Sequence, residues 1–226
     1  MRIGITERGD AALDQSWRNK LHTVDGAILV TKAPHKLGVV PNNCIVHCTI
    51  TGLGNTAWEP NVAPPRITLD AYNYLVDVIG PERTVLRIDP ITAHHFDLAK
   101  AVIEKAISRV RISFLDCYNH VRERVRTRIP QEVRQLPDMH YTRDQRTNML
   151  RSLSKIYSDI EICGEPGMIN TGCVSKRDLV ALGLPIPDLT HTSKQRYHCN
   201  CIAAKTELLN NRKPCTHNCV YCYWKG

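Results

Sequence analysis

Short runs of β-branched and apolar residues recur along the chain, each followed by a stretch with helical spacing, and this alternation leaves few folds open. Residues 3–6, 27–32 (AILVTK), 44–51 (CIVHCTIT), 84–88 (TVLRI), 110–115 (VRISFL) and 159–163 (DIEIC) read as six strands. Between them, residues 10–21 carry Leu13, Trp17 and Leu21 at a spacing of four, the mark of one helix face. Further helices are expected over 68–79, stopped by Gly80-Pro81, over 93–109, 118–128 and 142–157, and near 176–182. Strands joined through helices run parallel, because the crossover must carry the chain back to its starting side. The expected fold is therefore a single α/β domain: a partial or complete parallel (β/α) barrel over residues 1–184, then an irregular Cys-rich tail over 185–226. In such a barrel, polar residues at the C-terminal strand ends share one mouth. Arg87 and Asp89, Asp116, and the Cys163-Gly164-Glu165 segment occupy such ends, and the Gly/Pro-rich loop 52–65 is long enough to belong to a site.

No stretch approaches the ~20 apolar residues of a membrane span, and the N-terminus (MRIGITER) turns polar too early for a signal peptide. A cytoplasmic location is expected, with no membrane partner. That placement governs the ten cysteines. In a reducing compartment, clustered thiols serve as metal ligands or catalytic groups more often than as disulfides. Cys44, Cys48 and Cys117 stand apart, and the other seven fall between Cys163 and Cys222. The net charge of +8 favours polyanionic partners. Seven arginines (109, 111, 122, 124, 126, 128 and 134) stand against Asp116, Glu123 and Glu132. A solvated helix face and a phosphate-tracking surface both fit that run.

The tail reads Pro214-Cys215-Thr216-His217-Asn218-Cys219-Val220-Tyr221-Cys222, a C-x3-C-x2-C pattern with an aromatic residue before its third cysteine. Thiolates are the usual ligands of iron–sulfur clusters. Three of them can hold three irons of a 4Fe–4S cubane and leave the fourth open. Structural zinc is the competing reading, although zinc sites favour C-x2–4-C pairs set a dozen or more residues apart.

These residues resemble the radical S-adenosylmethionine superfamily, Tyr221 included, whose counterpart lies near the adenine. The resemblance implies a cluster on Cys215, Cys219 and Cys222 that cleaves S-adenosylmethionine to a 5′-deoxyadenosyl radical, with electrons from a flavodoxin or ferredoxin. The superfamily motif normally follows the first barrel strand, whereas here four residues follow Cys222, so the resemblance implies a permuted barrel. Arg87-Ile88-Asp89-Pro90-Ile91 resembles a strand end of spore photoproduct lyase-like proteins. The order of that segment, Ser113–Asp116, Cys163, a Cys-x-Cys and the terminal trio also resembles an uncharacterised bacterial and phage family with its cluster motif at the C-terminus. The chain departs from that family at residues 6–10 and 47–54, on the expected substrate side, so no substrate carries over.

Cys163, Cys173, Cys199 and Cys201 form a second set of four, suited to an auxiliary 4Fe–4S cluster or to zinc, against a packing alternative. Cys44 and Cys48 share one strand face and read as core. Cys117 has a packing reading too, and with Tyr118 stands as the candidate catalytic pair. Through the resemblance, Arg87 and Asp89 are expected to contact the ribose or carboxylate of S-adenosylmethionine, or to pair with each other at a strand end. Glu165 would likewise bind the methionyl ammonium. His47 reads as a core or rim histidine, and His94 and His95 as solvated. Three functions follow: a radical enzyme of lyase or isomerase type on a nucleic-acid base or nucleotide (thymine repair, or rearrangement of a hypermodified thymine, by the resemblance); one on a peptide or metabolite; and a zinc module that binds nucleic acid without catalysis.

Overall fold

Nearly every strand residue is buried, so both faces of the sheet are covered, and the residues on each side explain how. The computed structural model describes residues 1–92, 94–135, 141–187, 200–202, 204–209 and 215–224. The strands are β1 (Ile3–Ile5), β2 (Gly26–Thr31), β3 (Cys44–Thr49), β4 (Thr84–Ile91), β5 (Val110–Phe114), β6 (Ile160–Ile162) and β7 (Lys205–Glu207). The helices are α1 (Pro65–Ile79), α2 (Phe96–Ile103), α3 (Asn119–Arg128), α4 (Pro130–Gln135), α5 (Arg143–Ile156) and α6 (Lys176–Ala181). All strands pair in parallel, in the order β6-β5-β4-β3-β2-β1-β7.

That order is monotonic, with the last strand laid beside the first. Right-handed crossovers taken always in one direction place their helices on the same face. Leu29, Val46, Leu86, Ile88 and Ile112 accordingly pack with Tyr72 and Leu75 of α1, Val102 of α2 and Leu153 of α5. The opposite face carries Ile3, Ile5, Ile28, Ile45 and Val85, covered by Val174, Leu179 of α6 and Cys201. Among the described residues, helices lie outside and the short helix α6 within, which describes a partial parallel barrel with β6 and β7 as its edge strands. Cys44 and Cys48 pack on the helical side, as their even spacing predicts.

Two expectations are corrected. The helix expected over residues 10–21 is a 3₁₀ helix, Gln15–Thr23. The Asp10 carboxylate is engaged at the end of β1 by Ala12 N (2.9 Å) and Lys32 N (2.6 Å), so residues 10–14 turn, and Asp14 caps the shorter helix. Trp17 is buried, while Leu13 is 38% exposed, so the spacing-four face does not form. The basic run is not one surface either. Arg109 and Arg111 point to the inner face of β5, 1% exposed, where Asp178 of α6 (2.9 and 3.1 Å) and Glu161 of β6 (3.0 and 2.7 Å) neutralise them. Arg111 also contacts His47 Nε2 at 3.2 Å. Burial and that guanidinium push the His47 pKa well down, so it is a neutral core histidine.

Candidate active site

The upper half of the inner face is open, and a cavity of about 530 Å³ fills it, within the range of cofactor sites. Its wall is built from strand ends. Glu7 follows β1, Lys32 follows β2, and Thr49 closes β3. Arg87 and Asp89 come from β4, Ser113 and Asp116 from β5 and beyond, and Cys163 and Glu165 from the end of β6. The C-terminal thiols Cys215, Cys219 and Cys222 line the same cavity.

The thiol-bearing loop has left the sheet after β7, and polar contacts from the first half of the chain hold it down. His217 Nε2 lies 2.7 Å from Asp10 Oδ2 in a buried contact. Burial opposes the Asp10 charge, but His217, Thr31 and Lys32 N overcome it and hold the carboxyl below its usual range. Asn61 donates to Thr216 O (2.8 Å), and Val220 N to Trp58 O (3.0 Å). Tyr221 donates its hydroxyl to Glu59, which also accepts from Lys32 Nζ (2.7 Å) and Thr51 Oγ1 (2.8 Å). Burial opposes the Lys32 charge, yet Glu59 outweighs it and keeps the ammonium protonated. Tyr221 is thus fixed by its polar tip and packed beside Trp58, with ring centroids 6.4 Å apart.

From the other side, Arg124 of α3 donates to Cys222 O, and Arg128 Nη1 to Asn218 Oδ1 (2.6 Å). Asn218 takes a left-handed φ of 54°, a conformation that asparagine tolerates. Val121 and Val125, on the same side of α3, bury against Trp58, Cys219 and Val220. Helix α3 therefore touches the thiol loop directly, and Arg124 and Arg128 bond to that loop rather than forming only a solvated or phosphate-tracking face. Arg122 and Arg126 are exposed, Arg126 pairing with Glu123 at 3.1 Å.

The three thiols share a wall rather than a coordination sphere: among the described residues, no group of three His, Cys, Asp or Glu side chains is arranged to hold a metal. Burial pushes the Cys219 thiol up to about 12. Of the second set, Cys163 and Cys173 touch, Sγ to Sγ at 3.1 Å, and Cys201 Sγ accepts Cys173 N–H at 3.2 Å. Cys199 lies outside the described residues.

Arg87 and Asp89 pair with each other on the wall, and Ser113 donates to Asp89. The Glu165 carboxylate is taken by Phe114 N–H (2.6 Å) and by Arg146, and burial raises its pKa to about 7. It is therefore already partnered on both oxygens rather than held ready for an ammonium. Cys117 is buried in the small core with Leu115 and Val121, off the cavity wall, which favours its packing role. Tyr118 is 45% exposed and lines an adjoining recess of about 470 Å³ with Arg8, Tyr223 and Trp224. His95 is half-buried, bonded to Thr92 Oγ1 (2.8 Å) and edge-on to Trp58, rather than solvated; His94 is exposed. Sequence reasoning did not single out Asp10, Lys32, Glu59 or His217, although the long 52–65 loop pointed towards Glu59.

The family described as "Domain of unknown function (DUF1848)" matches over residues 15–224. No curated protein and no solved structure matches the chain. Among the described residues, no helix is long and apolar enough to cross a membrane.

Proposed function

We propose that this chain, which belongs to the DUF1848 family, is a radical S-adenosylmethionine enzyme whose 4Fe–4S cluster is held by Cys215, Cys219 and Cys222. The observation that carries this reading is the position of the thiol loop. It follows β7, β7 pairs in parallel with β1, and the loop lines the mouth where the strand ends converge. Taken from β7, the strand order runs β7, β1 and on to β6, so on this reading the motif follows the first strand of a permuted, partial barrel.

The donor set fits such a cluster chemically, being three thiols in one cavity with an aromatic ring fixed beside them. The buried Nε–H of Arg124, a residue of the same wall, has no partner among the described residues, which leaves a donor for a ligand. When bound, a cluster with one open iron supplies the chelation site and the electron that cleave S-adenosylmethionine to the 5′-deoxyadenosyl radical, the electron coming from a flavodoxin or ferredoxin. The protein's own groups set the frame. Asp10 and the Lys32–Glu59 pair hold the loop, and Arg87 with Asp89 presents a fixed charge pair to the ribose or carboxylate of S-adenosylmethionine. Anaerobically reconstituted protein should be brown, with about four iron and four sulfide per chain on the superfamily's stoichiometry; stoichiometric zinc without iron would instead favour a zinc module.

The substrate we propose is an unpaired nucleic-acid base or nucleotide. Beside the cavity, Arg8 lies over the Trp224 ring at 4.9 Å, and Tyr118 packs edge-on to Tyr223 at 5.6 Å. Exposed aromatic faces with nearby cations suit base stacking and phosphate contact. Because Arg124 and Arg128 serve the thiol loop, the phosphate test falls to Arg122 and Arg126. Replacing both with Ala should flatten the slope of log K against log salt by up to about 1.4 for single-stranded DNA and leave iron content unchanged. If the wild-type protein binds oligonucleotides without salt dependence, the substrate is a peptide or metabolite instead.

A further inference from the structure

In the same cavity as the C-terminal trio, two more thiols meet. Cys163 leaves β6, the chain turns through residues 164–172, and Cys173 returns so that the two sulfurs lie 3.1 Å apart. The loop between them is closed by contacts that owe nothing to sulfur. Thr171 N donates to Ile162 O (2.8 Å), Glu165 N to Asn170 Oδ1 (2.7 Å), and Asn170 Nδ2 back to Glu165 O (2.7 Å). Gly172 has a φ of 77°, and a Cβ there would stand 2.6 Å from Cys201 N, so only glycine lets the returning chain lie against residues 200–201. The pair is thus brought together by the backbone, and both thiols line the cavity, half-buried, within reach of small molecules.

We propose that Cys163 and Cys173 form a redox-active dithiol that exchanges with small disulfides admitted to the cavity. One sulfur, as thiolate, attacks a disulfide R–S–S–R and expels one RS⁻. The second protein sulfur, as thiolate, then attacks the mixed disulfide and expels the other RS⁻. The two protons given up by the protein thiols end on the released thiols. The protein loses two electrons and R–S–S–R gains them. The sulfurs need close by only about 1 Å to reach the ~2.05 Å of a disulfide bond. The chemistry is independent of what Cys215, Cys219 and Cys222 bind. Its structural consequence falls on Glu165 and Gly167, which lie inside the loop that oxidation would close covalently.

Trypsin should release Cys163 and Cys173 together in a single peptide, residues 156–176, which makes the test direct. Full-length protein is incubated anaerobically with glutathione disulfide, unfolded in iodoacetamide and mapped by mass. The major form of that peptide should carry no alkyl group and lack two hydrogens, whereas Cys44 and Cys48 should be alkylated in full. Cys163→Ser should leave Cys173 as a glutathione adduct, and Cys219→Ala should behave as wild type, which separates this site from the trio. Two alkyl groups on peptide 156–176 after oxidation would overturn the proposal. So would zinc or iron that shields these thiols and disappears in Cys163→Ser, since the pair would then be metal ligands.

Discussion

Cys219→Ala, reconstituted anaerobically beside the wild type, is expected to lose its iron and sulfide and to cut formation of 5′-deoxyadenosine by well over 100-fold. Changes to the outer partners of metal ligands typically cost 10–100-fold, and loss of a ligand itself should exceed that. Cys219 is the member of the trio set deepest, 8% exposed and packed with Val125 and Val220. Burial raises its thiol to about 12, so loading must release a proton at neutral pH, and metal uptake should weaken as pH falls. Cys44→Ala is the control. Cys44 is likewise a buried thiol but sits on the helical side of β3, off the cavity, and its replacement should leave iron content intact while lowering stability. Iron and activity retained in Cys219→Ala would sink the assignment of the trio, whatever the colour of the wild type.

The trio was legible because its ligands are neighbours in sequence, and local spacing is what a sequence displays. Its supports were not, because they are distant: Asp10 meets His217, and Glu59 meets Tyr221, only after β7 has returned to pair with β1. Five of the six expected strands were readable from β-branched runs, and Ile3–Ile5 from its apolar alternation. Strand β7 was hidden because Lys-Thr-Glu has no apolar signal; it is fixed by Leu208 behind it and by the Lys205–Glu7 contact at 2.8 Å. The fate of Arg109 and Arg111 could have been read. Val110, Ile112 and Phe114 take one face of β5, so Arg109, Arg111 and Ser113 must take the other. Counted as charge, they suggested a polyanion surface; counted by strand period, they required buried partners. The same correction applies to α3, where Arg124 and Arg128 are four apart and turn to one neighbour, the thiol loop.

Those buried partners make Asp178 the side chain whose loss should cost most in stability. Asp178 is fully buried, receives Arg109 and Arg111, and accepts Ser175 N at 2.7 Å in the capping box of α6. Asp178→Ala leaves two guanidinium groups sharing Glu161 in a water-poor interior. Breaking a buried pair from one side costs about 3–5 kcal/mol, because the remaining charge is uncompensated. Urea unfolding should therefore show a midpoint far below wild type. The acid limb gives a second readout. The arginines overcome burial and lower the Asp178 pKa from 3.8 to about 2. A folded pKa below the unfolded one means stability fully present above about pH 4 and lost as pH falls towards about 2, worth roughly 2 kcal/mol for such a shift. Glu7 and Glu165 act with the opposite sign. Burial raises both to about 7, so their contribution falls as pH climbs from 4.5 to about 7. Subtracting the Asp178→Asn profile from wild type cancels those two and should isolate the acid limb. An equal urea midpoint for Asp178→Ala and wild type, or an acid limb unchanged in Asp178→Asn, would show that the inner face does not depend on this carboxylate.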